Sequence, residues 1–214
     1  MGRKVNERQS MTGVILDALR NDINNGVYRD GQFITESEIS LRFNVSKTPA
    51  REALNYLCQE GLLIKFPRKG YMVKSLSLTE AQKLFQFRNI LERASVEYAV
   101  RYATDDEIEE LDHIANETID TSDVDWVNQY NDLNMRFHTS IAMLTRNEYL
   151  VDALKRTLNM LRRELILDMK ETSVKKALEA HIHMVAAMKE RDIEKALRVT
   201  TDQIDVVEKR LYVR

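Results

Sequence analysis

All six glycines (Gly2, Gly13, Gly26, Gly31, Gly61 and Gly70) and both prolines (Pro49 and Pro67) of this 214-residue chain fall within its first 70 positions. From Tyr71 to Arg214 there is neither. Sheets and irregular folds need residues that turn the backbone at tight corners, whereas helices joined by short polar loops do not. The second part is therefore expected to be all helix, with the boundary between Lys74 and Ser77 and the two domains at 1–76 and 77–214. Charge divides the chain at the same place. Residues 1–78 hold 12 basic and 8 acidic side chains, so the overall net charge of −2 conceals a basic head on an acidic body. A basic head suits a polyanion partner. The lone Cys58 excludes an intrachain disulfide and fits a reducing compartment. No apolar run approaches a membrane span, and Met1–Asn25 lacks a signal-peptide core, so a cytoplasmic protein with no membrane partner is expected.

Capping residues predict the helices of the second part. Thr79 with Gln82 opens a helix to about Tyr102, with Leu84, Phe87, Leu91, Ala94 and Tyr98 on one face. Thr104 with Glu107 forms a capping box for the second, and Ser122 begins a third that runs through Trp126 and Tyr130. Asn147 caps a fourth, whose stripe Val151, Leu154, Leu158, Leu161 and Leu165 suits a neighbouring helix or a second subunit. Ser173 and Asp192 open the last two. The expectation is an antiparallel bundle of six or seven helices, with its first and fourth helices as the dimer seam. In the head, Leu16, Leu19 and Ile23 mark one helix, and Thr35 with Glu38 caps a second. Ser46 caps a third, which buries Ala50, Leu54 and Leu57. Leu62–Phe66 and Tyr71–Val73 flank a hairpin tip at Pro67–Gly70. That order is a winged helix-turn-helix, so the fold class is mainly α with a small wing.

In such a head Ser46, Lys47, Thr48 and Arg51 stand at the start of the helix that meets base edges, and the free amides after Ser46 can meet a phosphate. Arg68 and Lys69 occupy the hairpin tip, with Gly70 permitting close backbone approach. The plainer alternative is that these cations solvate a surface.

The run Gly26-Val-Tyr-Arg-Asp-Gly-Gln-Phe-Ile-Thr-Glu-Ser-Glu-Ile-Ser, then Val45-Ser-Lys-Thr-Pro-Ala-Arg-Glu-Ala-Leu54, Glu60-Gly-Leu-Leu-Ile and Pro67-Arg-Lys-Gly70, resembles the GntR family of bacterial transcription regulators. Phe87-Arg88-Asn-Ile-Leu-Glu92, Phe137-His138, Arg146-Asn147, and His181 with Ala187-Met-Lys-Glu-Arg-Asp192 resemble the effector-binding domain of its FadR-type (FCD) branch. The resemblance implies recognition-helix contacts from Ser46, Lys47, Thr48 and Arg51, and a wing contact from Lys69 and Gly70. The family usually has Arg where Lys47 stands, and often Arg where Ser37 stands; both departures shift the operator sequence. It also implies a pocket at Asn134, His138, His181 and Gln203, where related domains carry one Asp and three His around a divalent metal. Two of these four positions are neutral amides, which can ligate a hard cation but bring no charge, while Zn or Ni favour imidazole or thiolate; Zn, Ni or Mn are the candidate ions. A divalent ion would sit at a degenerate site, and no cofactor is required. Arg88 could clamp a carboxylate or simply pair with Glu92.

These observations imply a homodimeric regulator of a palindromic double-stranded DNA operator, responsive to a small-molecule effector. The rival, an enzyme using a His-lined bundle, lacks a His-Glu-x-x-His motif, a phosphate loop and a dinucleotide fingerprint, and leaves the basic head unexplained. A third alternative is a constitutive DNA-binding protein with a filled bundle, in which His138 and its neighbours are ordinary core residues.

Overall fold

The computed structural model describes residues 10–166 and 170–211, and the chain folds as two compact units, Met1–Leu76 and Ser77–Arg214. The first contains α1 (Met11–Asn24), β1 (Phe33–Ile34), α2 (Glu36–Phe43), α3 (Lys47–Gln59), β2 (Leu63–Phe66) and β3 (Gly70–Val73). Helix α1 buries Ile15, Leu19 and Ile23 at four-residue spacing against Ile39 of α2 and Leu54 and Leu57 of α3. Thr35 caps α2 by accepting the Glu38 amide at 3.1 Å, and Asn44 ends it in the left-handed region at φ 51°. Only three residues, Asn44, Val45 and Ser46, separate α2 from α3, so the pair forms the helix-turn-helix.

The three strands form one antiparallel sheet in the order β1-β3-β2, with Phe33 opposite Met72 and Leu63 opposite Val73. Strand β1 has only two residues, too few to show a period-two pattern in the sequence. Gly70 sits at φ +111°, and a Cβ there would lie 2.6 Å from the Ile34 carbonyl oxygen. Its lack of a side chain is thus required for β3 to pass β1, independently of any DNA backbone.

The second unit comprises α4 (Leu78–Tyr102), α5 (Asp105–Ala115), α6 (Trp126–Met143), α7 (Glu148–Ile166), α8 (Glu171–Lys189) and α9 (Ile193–Leu211). Six helices pack as a bundle, as expected from the missing Gly and Pro. Several starts differ. Ser77, not Thr79, caps α4 in a full capping box with Glu80; α6 begins at Trp126 after Asp125 rather than at Ser122; and α8 begins two residues ahead of Ser173. Two arginines turn the glycine-free chain. Arg146 and Arg191 adopt φ 52° and 57°, a conformation that disfavours side chains by roughly 1–2 kcal/mol. The Arg191 guanidinium offsets this by donating to the carbonyls of Val100 (3.1 Å) and Ala103 (2.8 Å) at the end of α4, and to Asp105 at 2.6 Å.

Two expected faces are corrected. On α4 the buried residues are Ala81, Phe85, Arg88, Glu92, Ser95, Val96, Ala99 and Val100, whereas Phe87 and Ala94 are exposed. The apolar stripe of α7 is spent inside the chain. Leu154, Leu158 and Leu161 are fully buried, and α7 packs on α4 and α6, so this stripe is not left for a dimer seam.

Candidate functional site

On the first unit, Ser46 precedes α3 in an extended conformation and makes no side-chain cap bond, so the leading amides of the helix carry no capping partner from it. Ser46, Lys47 and Thr48 are exposed, while Ala50, Ala53, Leu54 and Leu57 on the opposite face are buried. Among the described residues Lys47, Arg68 and Lys69 have no ion pair. Arg51 does. Its Nε and Nη2 donate to the two carboxylate oxygens of Glu36 on α2 at 2.9 and 2.8 Å, which holds the Glu36 carboxyl below its ordinary range. The guanidinium therefore lies along the α2–α3 surface, and its reach toward a base requires that fork to open. Cys58, on the packed side of α3, has its thiol pushed up by burial, which does not suit a nucleophile.

The second unit holds a polar cluster inside the bundle. Arg88 and Glu92 face inward one turn apart on α4, at only 2% and 3% exposure, with Arg88 Nε donating to Glu92 Oε1 at 2.6 Å. The other carboxylate oxygen lies 3.0 Å from Nδ1 of His138 on α6, poorly aligned for a hydrogen bond. Nε2 of the same ring lies 3.3 Å from Arg88 Nη2. A guanidinium can only donate, so Nε2 accepts and the ring proton sits on Nδ1, toward Glu92. Burial alone would raise the Glu92 carboxyl; the Arg88 guanidinium, with the His138 ring beside it, overcomes this and holds the pKa down to about 2.

His181 on α8 completes the cluster. It is fully buried, stacked on Phe137 at 4.0 Å and edge-on to His138 at 5.2 Å, and neither ring nitrogen has a partner. Burial, reinforced by its neighbour His138, pushes its pKa well below the usual value, so the ring is neutral. Arg88, Tyr130, Asn134, Leu165, Ala177 and Gln203 line a small chamber of about 20 Å³ beside these groups. The Tyr130 hydroxyl approaches Asn134 Oδ1 at 3.4 Å, and Gln203 Nε2 reaches the Ala177 carbonyl at 3.5 Å while its Oε1 is buried without a partner.

The positions Arg88, Asn134, His138, His181 and Gln203 therefore come from four helices to one place. Glu92 and Tyr130 belong to it as well, though the sequence suggested only a salt bridge for the first and no site role for the second. Arg162 is also buried, bridging to Asp132 at 2.9 Å. The same four residues do not fit a divalent ion. His138 already engages Arg88 and Glu92 through its two nitrogens, a metal at Nε2 would displace and face the guanidinium, and two of the four donors are uncharged amides. Among the described residues no group of three His, Cys, Asp or Glu could hold a metal.

Residues 12–73 match the model of the bacterial regulatory proteins of the gntR family, and residues 83–205 match the FCD domain. The chain belongs to the GntR family, in its FCD branch. It is 29% identical over 164 residues to the Nta operon transcriptional regulator of Aminobacter aminovorans, spanning 77% of each chain. It is 22% identical over 205 residues to the transcriptional repressor RspR of Escherichia coli K12, covering 95% of this chain and 90% of that one. The solved structure of E. coli McbR/YncC shares the fold at a TM-score of 0.76 and 18% identity, over 95% and 97% of the two chains. This GntR–FCD protein is accordingly a transcription regulator with a winged helix-turn-helix, and its relatives are regulators rather than enzymes. No helix among the described residues is long and apolar enough to cross a membrane.

Proposed function

We propose that this regulator works in the cytoplasm as a homodimer on a palindromic double-stranded operator, and that a small carboxylate bound inside the second unit changes its operator affinity. Ser46, Lys47 and Thr48 would contact the major groove, with Arg51 joining when it leaves Glu36, and Arg68, Lys69 and Gly70 would meet the backbone from the wing. The observation that carries the effector reading is a set of buried polar atoms without partners, both His181 nitrogens and Gln203 Oε1, in the bundle whose small chamber Arg88, Asn134 and Gln203 line. Unsatisfied buried polar groups are costly unless a ligand or water completes them. The Arg88 side chain lines the chamber, and its Nε and one N–H of Nη2 are already committed, so a carboxylate would meet the rest of a pre-oriented fork.

A ligand there changes operator affinity only by favouring one arrangement of the two heads over another. The test is fluorescence anisotropy on a pool of genomic promoter fragments across salt, with small carboxylates present or absent. With 6–10 phosphate contacts, affinity should fall by roughly three to five decades between about 50 and 200 mM salt. A salt-insensitive complex, or operator affinity that no carboxylate moves, contradicts the corresponding half of the proposal.

A further inference from the structure

The chamber beside Arg88 has about 20 Å³ of accessible space, enough for one water and far short of a whole small molecule. A groove of about 460 Å³ lies next to it between α8 and α9, within the range of ligand sites. The two share a wall, because Ala177, Gln203 and Val207 line both. On α9 the groove residues Val199, Gln203, Val206 and Val207 recur at helical spacing and form one face; Ala177 and Ala180 oppose them from α8. Charged and polar side chains, Lys176, Glu179, His183 and Asp202, also border the groove. Gln203 stands at the junction, tied to α8 only through its long 3.5 Å contact with the Ala177 carbonyl.

We infer that the effector site has two compartments: the chamber takes only a carboxylate head, and the groove between α8 and α9 takes an aliphatic body, with Gln203 as the sill between them. This rests on the effector reading above and narrows it to monocarboxylic acids with an apolar chain. The volumes decide the orientation. The chamber has room for a small head group and nothing larger, so the remaining carbons must lie over Ala177, Ala180, Val199 and Val206. A purely polar acid leaves that apolar floor uncovered.

The experiment is calorimetric titration of the full chain with acetate, butanoate, hexanoate and octanoate. Affinity should rise by about fourfold per methylene that enters the groove and level off once the chain outruns it. Ala180→Trp fills the groove without touching the chamber. Val206→Glu places a charge on its floor at a residue 60% exposed, where folding is not at stake. Both should abolish the chain-length increment while leaving acetate affinity unchanged, and Arg88→Met should weaken every acid. Equal affinity across the series, or an increment that survives both groove variants, overturns the two-compartment site while leaving the effector reading intact. Acids that bind Arg88→Met as tightly as wild type also overturn it, since their head would then not sit in the chamber. If none of the acids binds, this inference and the carboxylate reading fall together.

Discussion

Replacing Glu92 with Gln removes the negative member of a cluster that is closed to solvent, and the structure sets the size of the effect. The carboxyl is held at about 2 against an ordinary value of 4.5. A shift of that size corresponds to roughly 3 kcal/mol of folding stability at neutral pH, the same order as breaking a buried ion pair. The folded pKa is depressed, so this contribution is fully present above the unfolded carboxyl value and is lost as pH falls from about 4.5 toward 2. His181, also depressed, acts in the same direction but begins to destabilise below the ordinary histidine range. Comparing wild type with Glu92→Gln cancels that shared contribution. Urea unfolding monitored by circular dichroism should show a deficit of about 3 kcal/mol at pH 7, or a Tm lower by about 10 °C, that shrinks below pH 4.5. Arg88→Met with Glu92→Leu should recover most of the loss, because an apolar pair of similar volume needs no desolvation of charge, and should abolish carboxylate binding. A Glu92→Gln protein as stable as wild type, or a deficit that does not vary with pH, would refute the reasoning.

Gly70→Ala should destabilise the first unit by about 1–3 kcal/mol, seen in urea unfolding, because its Cβ would meet the Ile34 carbonyl; an unchanged midpoint would mean that β1 yields freely. Arg191→Ala should lower stability by about 2 kcal/mol, since it leaves the Val100 and Ala103 carbonyls without their donor while keeping the left-handed backbone. For Lys47→Ala, operator affinity should fall and, if the ammonium meets a phosphate, the slope of log affinity against log salt should flatten by about one, read by anisotropy. Chelator-stripped protein should take up no Zn, Ni or Mn by calorimetry, whereas Asn134→Asp with Gln203→His should gain an ion only when Arg88 is also neutralised; tight binding by the wild type would show that the cluster rearranges around a metal.

Much of the fold was legible because its signals are local. Thr35, Thr104 and Asn147 supply side-chain bonds to the first turns they were expected to cap, and the absence of Gly and Pro after Gly70 points to helices. Starts failed where several polar residues compete within a few positions: Ser122 bonds Asp120 in a turn before α6, and Ser77 precedes Thr79 with its own Glu80 partner. The face of α4 was misplaced for a deeper reason. Its inward stripe carries Arg88 and Glu92, which an apolar pattern passes over, while Phe87 and Ala94, expected on the packed face, are exposed. A hydrophobic pattern follows burial only when the buried residues are apolar, and a functional cluster breaks that link. For the same reason Asn134, His138, His181 and Gln203 were recoverable through family resemblance, whereas Tyr130 and Arg162 carried no local signal. The pairing of Arg51 with Glu36 is a contact between helices that spacing along one helix cannot reveal.

The central claim is that exposed Lys47 and Thr48 at the start of α3 read an operator as part of a symmetric dimer. Selection of bound duplexes from a random-sequence DNA library by the full chain, with Lys47→Ala/Thr48→Ala beside it, tests this most directly. The wild type should enrich one inverted repeat and the variant should lose it, with the variant's oligomeric state unchanged. A selected pool that is no more symmetric than its input, or an inverted repeat that the variant enriches equally, would contradict it.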